Sequence, residues 1–315
     1  MVAPVRKIVA LAGGVGAARF LDGLAQVIDP ARLFIIGNVG DDAGIHGLHI
    51  SPDLDTVIYT LAGIADPARG WGLAGDTFHC LNALGHLGGE TWFQLGDRDL
   101  ATHLYRTERL RAGATLAEVT REIARALRVR ARVVPATDQP VRTHVRTRRG
   151  ELEFQTWFVR RRARDAVLGL RYEGASKARP APGVLGAIAS AAAIIVCPSN
   201  PFLSIGPILA VPGIRRALRR TPALVAAISP IVGGRALKGP TARMMKSMGM
   251  RASAAEVARL YQDFVDLFVL DRADQRQAAR IERMGLRVVA ADTVMKGARE
   301  KRALARVVTA ALGVS

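Results

Sequence analysis

Short apolar runs alternate along this chain with amphipathic stretches and turn residues. Ile8 to Ala12 and Leu33 to Gly37 come first, and the pattern resumes at Ala193 to Cys197, Ala223 to Ser229, Asp266 to Asp271 and Leu286 to Ala290. Runs of this length with little polar alternation suit strands covered on both faces, as in a parallel sheet. Between them the spacing of apolar positions predicts helices from about Ala17 to Ile28, from Ser51-Pro52 onward, over 76–87, 98–111 and 115–128, and from Ala298 to Leu312. Ser51 followed by Pro52 is a helix-start signal, and Thr115-Leu-Ala-Glu118 and Ser253-Ala-Ala-Glu256 read as capping boxes. One stretch departs from this plan. Residues 141–160, VRTHVRTRRGELEFQTWFVR, alternate around Arg149-Gly150 and predict a β-hairpin. The expected fold is α/β, a doubly wound, mainly parallel Rossmann-like sheet in a single domain over 1–315, with an inserted helical and β-hairpin subdomain over about 110–185.

Composition narrows the class. Half of the 315 residues are hydrophobic, enough for a sizeable core, yet no apolar run reaches the roughly 18–20 residues of a membrane span. The N-terminal MVAPVRKIVALAGG has a positive start and an apolar run, as a signal peptide does. That run is short and passes straight into a glycine turn, so it is expected to be the first strand of a cytoplasmic protein. The formal charge of +18 comes from 45 basic residues, of which only six are lysine. Such an arginine skew accompanies a GC-rich coding sequence as readily as a nucleic-acid surface. The densest basic run, RRRAR at 160–164, holds no aromatic residue for base stacking. No nucleic-acid partner is expected; a positive field that draws in phosphorylated small molecules accounts for the charge equally well. Cys80 and Cys197 lie far apart without metal-ligand spacing, and both are expected to be small buried hydrophobes.

The polar residues that carry chemistry gather at strand ends. Gly13-Gly14-Val15-Gly16 follows the first strand and opens a helix, a place where backbone can approach a phosphate. It is not a Walker loop, fits GxGxxG poorly, and by itself could be an unliganded tight turn. After the second strand, GNVGDDAGIHGLHISPDLDT sets Asp41, Asp42, Asp53 and Asp55 into one glycine-rich loop. One aspartate there could be solvated surface; four together suit a hard cation and a phosphorylated substrate. Leu95-Gly96-Asp97-Arg98-Asp99 with His103, Pro198-Ser199-Asn200-Pro201 with Ser204 and Gly206, and Ser229-Pro230-Ile231 with Lys238-Gly239-Pro240 add further polar groups. Most of these fall at the sheet edge where α/β folds hold ligands.

Together the stretches AGGVGAARFLDGL, GNVGDDAGIHGLHISPDLDTVIYTLAG, WGLAGDTF, LGDRDLATHLYRT, CPSNPFLSIGPILAVPGIR and SPIVGG resemble the 2-phospho-L-lactate transferase family, over about residues 7 to 310. The resemblance implies a role in making the deazaflavin coenzyme F-420. A phospho-acid (2-phospho-L-lactate, phosphoenolpyruvate or 3-phosphoglycerate) would pass from a donor joined to GMP through a diphosphate to the ribityl hydroxyl of the deazaflavin FO, releasing GMP. It further implies Mg²⁺ and a homodimer. Asp41 and Asp55 match the family's metal-linked aspartates, with Asp55 also facing FO as the group that orients or deprotonates the hydroxyl. Asp42 and Asp53 are second choices. Gly13, Gly14 and Gly16 would admit the substrates close to the backbone, Asn38 and Asp97 would contact them, and Ser199, Asn200, Ser204 and Gly206 would hold the guanosine diphosphate portion.

One position departs from the family pattern. Some members carry a lysine just before Leu-Gly-Asp-Arg-Asp, where this chain has Gln94, which can hydrogen-bond FO but supplies no charge; Arg98 is the expected compensation. The competing reading is a nucleotide-sugar-binding regulatory protein of the gluconeogenesis-factor type, which would share the glycine turn and the sheet. SPDLDT and LGDRDLATHL favour the transferase.

Overall fold

The computed structural model describes residues 6–314. Strand β1, Ile8–Ala12, is buried along its whole length and pairs in parallel with β2, Leu33–Gly37, on one side and with Ala193–Val196 on the other. The full sheet has seven parallel strands in the order Arg287–Ala291, Leu267–Asp271, Leu224–Ile228, Ala193–Val196, β1, β2 and Arg132–Pro135. After β1 the chain works outward through β2 to Arg132–Pro135, then returns to Ala193–Val196 and works outward the other way. The order therefore reverses between β1 and Ala193–Val196, which in a doubly wound sheet is where loops part and a crevice opens at the carboxyl ends.

Helix α1, Gly14–Ala25, begins inside the glycine turn, three residues earlier than its periodicity indicates, with Gly13 at the N-cap. It packs between α2, Pro52–Leu61, and the C-terminal helix Ala298–Leu312. The stretch 76–111 forms α3, His79–His86, and α4, Asp97–Arg111, and α5, Leu116–Ala126, carries the complete Thr115–Glu118 capping box. The second box is only half made. Ser253 Oγ accepts from the Glu256 N–H at 3.2 Å, but the Glu256 carboxylate turns to Arg259.

Three features differ from the sequence pattern. The edge strand Arg132–Pro135 was not legible, because only Val133 and Val134 mark it; with it, the first part of 110–185 extends the central sheet. The expected hairpin is shorter. Arg142–Thr147 pairs with Gly150–Glu153, and then residues 156–160 turn into a single π-helical turn. That turn buries Trp157 with Val145, Phe154, Leu203 and Met244 in a small second core. A third strand, Gly169–Glu173, completes an antiparallel sheet on Arg142–Thr147. Cys197 is buried as expected, but Cys80 is exposed, because α3 covers only its Leu81 side.

Candidate functional site

A cavity of about 840 Å³ opens at the reversal of strand order. Its floor is the glycine turn. A Cβ on Gly13 would stand 2.5 Å from Asp53 Oδ2 and 2.7 Å from Ser204 Cβ, and one on Gly16 would meet the Pro198 carbonyl. The two crossovers flanking the reversal thus touch through bare backbone. Ser199 Oγ donates to the Gly13 carbonyl at 2.9 Å, tying the loop after Ala193–Val196 to the turn after β1. The Asn200 side-chain oxygen accepts from the N–H groups of Phe202 and Leu203 at 2.9 and 3.1 Å, capping the turn that brings Ser204 to the wall.

One wall is acidic. Asp41, Asp53 and Asp55 all line the cavity, and all are buried. Asp53 accepts from Asn38 Nδ2 at 2.8 Å, while Asp41 Oδ1 is buried with no hydrogen-bond partner. Burial pushes the Asp53 carboxyl up to about 6, with the charge of Asp42 adding to it. Burial and then the charge of Asp53 raise Asp41 well above the carboxylate range. Negative charge is crowded here beyond what the protein neutralises, the condition under which a carboxylate pair takes up protons or a cation.

Asp55 has a different environment. Both its oxygens receive the Arg106 guanidinium, one at 3.0 Å and the other in a tighter contact. Arg106 is fully buried, so this is an ion pair in low dielectric. Arg106 also donates to His103 Nδ1 at 3.2 Å. Guanidinium only donates, so His103 Nδ1 is the acceptor in that contact, while Nε2 lies 3.3 Å from Asp99 Oδ1 without making a hydrogen bond. Tyr59 donates to the same Asp99 oxygen at 2.7 Å. Asp99, His103 and Arg106 recur at spacings of four and three on α4, which puts them on one helix face. That buried polar stripe was readable in the sequence, where Asp99 and His103 stood out only as parts of one polar stretch and Arg106 was given no role.

The mouth is aromatic. Trp71, Trp92, Phe93 and Phe158 line it, with the Arg69 guanidinium 5.5 Å from the Trp71 ring. None of these was assigned to the site from the sequence: Phe158 was read as part of the expected hairpin, and Trp71, Trp92 and Phe93 fall in irregular segments without a repeating pattern.

Of the expected site residues, the structure brings Gly13, Gly14, Gly16, Asp41, Asp53, Asp55, Gln94, Ser199, Asn200 and Ser204 to the cavity. The others do not line it, and most of their polar atoms are engaged with the scaffold, although Asp42 Oδ1, like Asp41 Oδ1, is buried without a hydrogen-bond partner. Asn38 is fully buried and also accepts from the Gly40 N–H. Asp42 accepts from Ser51 Oγ and pairs with His49. Asp97 accepts from Thr77 Oγ1 and from the N–H groups of His79 and Cys80, securing the start of α3. Arg98 donates to the Ala74 carbonyl and, unlike Gln94, does not line the cavity. Gly206 leaves room for the Tyr172 hydroxyl.

The model of the 2-phospho-L-lactate transferase CofD family matches residues 8–312. The chain belongs to the CofD family. This CofD-family transferase is 42% identical over 307 residues to a phosphoenolpyruvate transferase of Kitasatospora aureofaciens, covering 95% of this chain and 96% of the relative. It is 38% identical over 301 residues to a 2-phospho-L-lactate transferase of Methanosarcina acetivorans, covering 96% and 97%. Its fold resembles the crystal structure of a UPF0052-family protein from Bacillus halodurans, with a TM-score of 0.63 and 17% identity over 96% of this chain and 98% of that one. That likeness concerns the fold alone. The CofD-family match covers the glycine turn, the acidic wall and the α4 stripe alike.

Proposed function

We propose that this CofD-family transferase moves a phospho-acid from a donor linked to GMP through a diphosphate onto the ribityl hydroxyl of FO, giving a coenzyme F-420 precursor and GMP. The observation that carries the reading is the acidic wall facing a glycine turn in one cavity at the reversal of the sheet. Phosphoryl transfer of this kind asks for positioning and charge neutralisation more than for a covalent nucleophile. The higher identity to phosphoenolpyruvate transferases than to the phospholactate enzyme favours phosphoenolpyruvate among the three candidate acids. The protein would act as a cytoplasmic homodimer.

Mg²⁺ fits the wall. Asp41 offers a buried oxygen with no partner, and Asp53 is the neighbour whose charge most raises it. Among the described residues no group of three or more His, Cys, Asp or Glu could hold a metal. A site with one or two carboxylates matches the way Mg²⁺ keeps waters and shares substrate phosphates. When bound, the ion would neutralise charge on the transferring phosphoryl group. Asp55 serves as a ligand only if Arg106 yields one of its oxygens, so its stronger role is toward the hydroxyl. Positioned by its ion pair with Arg106, it orients or accepts the proton of the attacking group. The flat aromatic mouth suits a tricyclic deazaflavin.

The test is a mass-spectrometric assay with FO, Mg²⁺ and the three GMP-linked donors in competition. The dehydro form of F-420-0 with stoichiometric GMP is the expected result, and no product from any donor would sink the reading. Asp55→Asn is expected to lower kcat by at least about a hundredfold while FO still binds. Near-full turnover of that variant at saturating Mg²⁺ would remove Asp55 from its role.

A further inference from the structure

We infer that Arg19 and Lys238 form a cation pair that clasps the diphosphate of the donor against the first turn of α1. The inference rests on the transferase reading and assigns it two residues far apart in the sequence. Arg19 lies on α1, one turn beyond Gly16, and Lys238 lies in the loop after the strand end at Ser229; both side chains line the cavity. A Cβ on Gly70 would stand 3.1 Å from Lys238 Nζ and 3.0 Å from Val15 Cγ1, so the exposed Lys238 places its ammonium beside the loop of Gly70, which in turn lies against the start of α1.

Neither cation is matched by a carboxylate among the described residues. The Arg19 guanidinium donates to the Met295 carbonyl at 3.2 Å, which fixes its height on the wall and leaves its other N–H groups free for a ligand. Burial and then the charge of Arg19 hold Lys238 below the usual lysine range. Lys238 is exposed and Arg19 half-buried; like charges lining one cavity repel each other, and the arrangement becomes favourable when an anion stands between them. Lys296, exposed on the same rim, adds a third positive charge.

The geometry also selects the anion. Helix α1 is twelve residues long and presents first-turn N–H groups and the positive end of its dipole to the cavity. The aspartates stand on the other side of the same turn, with Asp53 beside Gly13. A phosphate chain lying across the glycine turn would meet a metal held by the acidic wall at one end and the Arg19–Lys238 pair at the other. A monophosphate reaches only one of these, so the pair should favour diphosphate over monophosphate.

Calorimetric titration of the full chain with GDP, GMP and FO tests this. In Arg19→Met and Lys238→Met, GDP affinity is expected to fall by about 10- to 100-fold each. GMP affinity should fall by less than about threefold, and FO affinity should stay at the wild-type value, which also certifies the fold. Lys238→Arg should recover most of the loss. Unchanged GDP affinity in both variants, with wild-type protein binding GDP, overturns the clasp and leaves the transferase reading standing. Equal losses for GDP, GMP and FO assign the two residues to the scaffold and overturn it as well. A wild-type protein that binds neither GDP nor FO overturns the clasp and the transferase reading together.

Discussion

The acidic wall holds two kinds of aspartate, and their partners decide what each can do. Asp53 carries a charge the scaffold does not neutralise. Its pKa is raised from 3.8 to about 6, so the folded state binds more protons than the unfolded state between those values. Stability contributed by this group is therefore present below about pH 4 and is lost as pH rises toward 6. Without metal, Asp53→Asn should stabilise the protein relative to wild type at pH 7.5, by an amount of the order of 2–3 kcal/mol, and much less at pH 4.5. Thermal melts at the two pH values check this, and a difference that does not change with pH would contradict it. Mg²⁺ should raise the wild-type melting temperature at pH 7.5 and do little for the variant. Asp55 is the opposite case, because Arg106 already neutralises it. Arg106→Met leaves a buried carboxylate alone and is expected to cost about 3–5 kcal/mol in urea unfolding. Adding Asp55→Asn on that background should recover part of the loss, and a double variant no more stable than Arg106→Met would contradict the pairing.

At the scale of elements, the site is made where crossovers meet, and Gly13 sets how closely. An added methyl there would press on Asp53 Oδ2 and Ser204 Cβ, belonging to α2 and to the turn after Ala193–Val196. Gly13→Ala should destabilise by about 1–3 kcal/mol and lower turnover by more than the fraction unfolded explains. Equal turnover per folded molecule would show that the spacing is not what catalysis requires. The same meeting explains what was legible in advance. Long apolar runs such as Ile8–Ala12 and Leu267–Asp271 are strands buried on both faces, so composition alone marks them. Arg132–Pro135 is an edge strand with two buried valines, and the arm after Glu153 coils because Trp157 has a core to enter and Gln155 donates to the Asp41 carbonyl. Those are tertiary contacts that no local pattern encodes. Likewise Asp97 and Arg98 stand out in a conspicuous motif yet serve loop and helix geometry, whereas Arg106 is inconspicuous and holds the site's central ion pair.

Over the whole molecule, the net charge of +18 and the four buried aspartates lining the cavity, Asp41, Asp53, Asp55 and Asp99, pull in opposite directions. A phosphorylated donor approaching from solution meets the positive surface first, and only inside the cavity does it face carboxylates. The surface charge should therefore govern capture, whereas the local cations and a bound metal govern the reacting geometry. Long-range capture is screened over about 10 Å at 0.1 M salt, while contacts within a partly enclosed cavity are screened far less. It follows that kcat/KM for the donor should fall several-fold between about 0.02 and 0.3 M salt, with kcat nearly constant. Steady-state rates across that range at fixed free Mg²⁺ make the comparison. A kcat that falls in parallel with kcat/KM would mean that salt reaches the cavity itself, and a flat kcat/KM would mean that the arginine excess plays no part in capture and reflects composition alone.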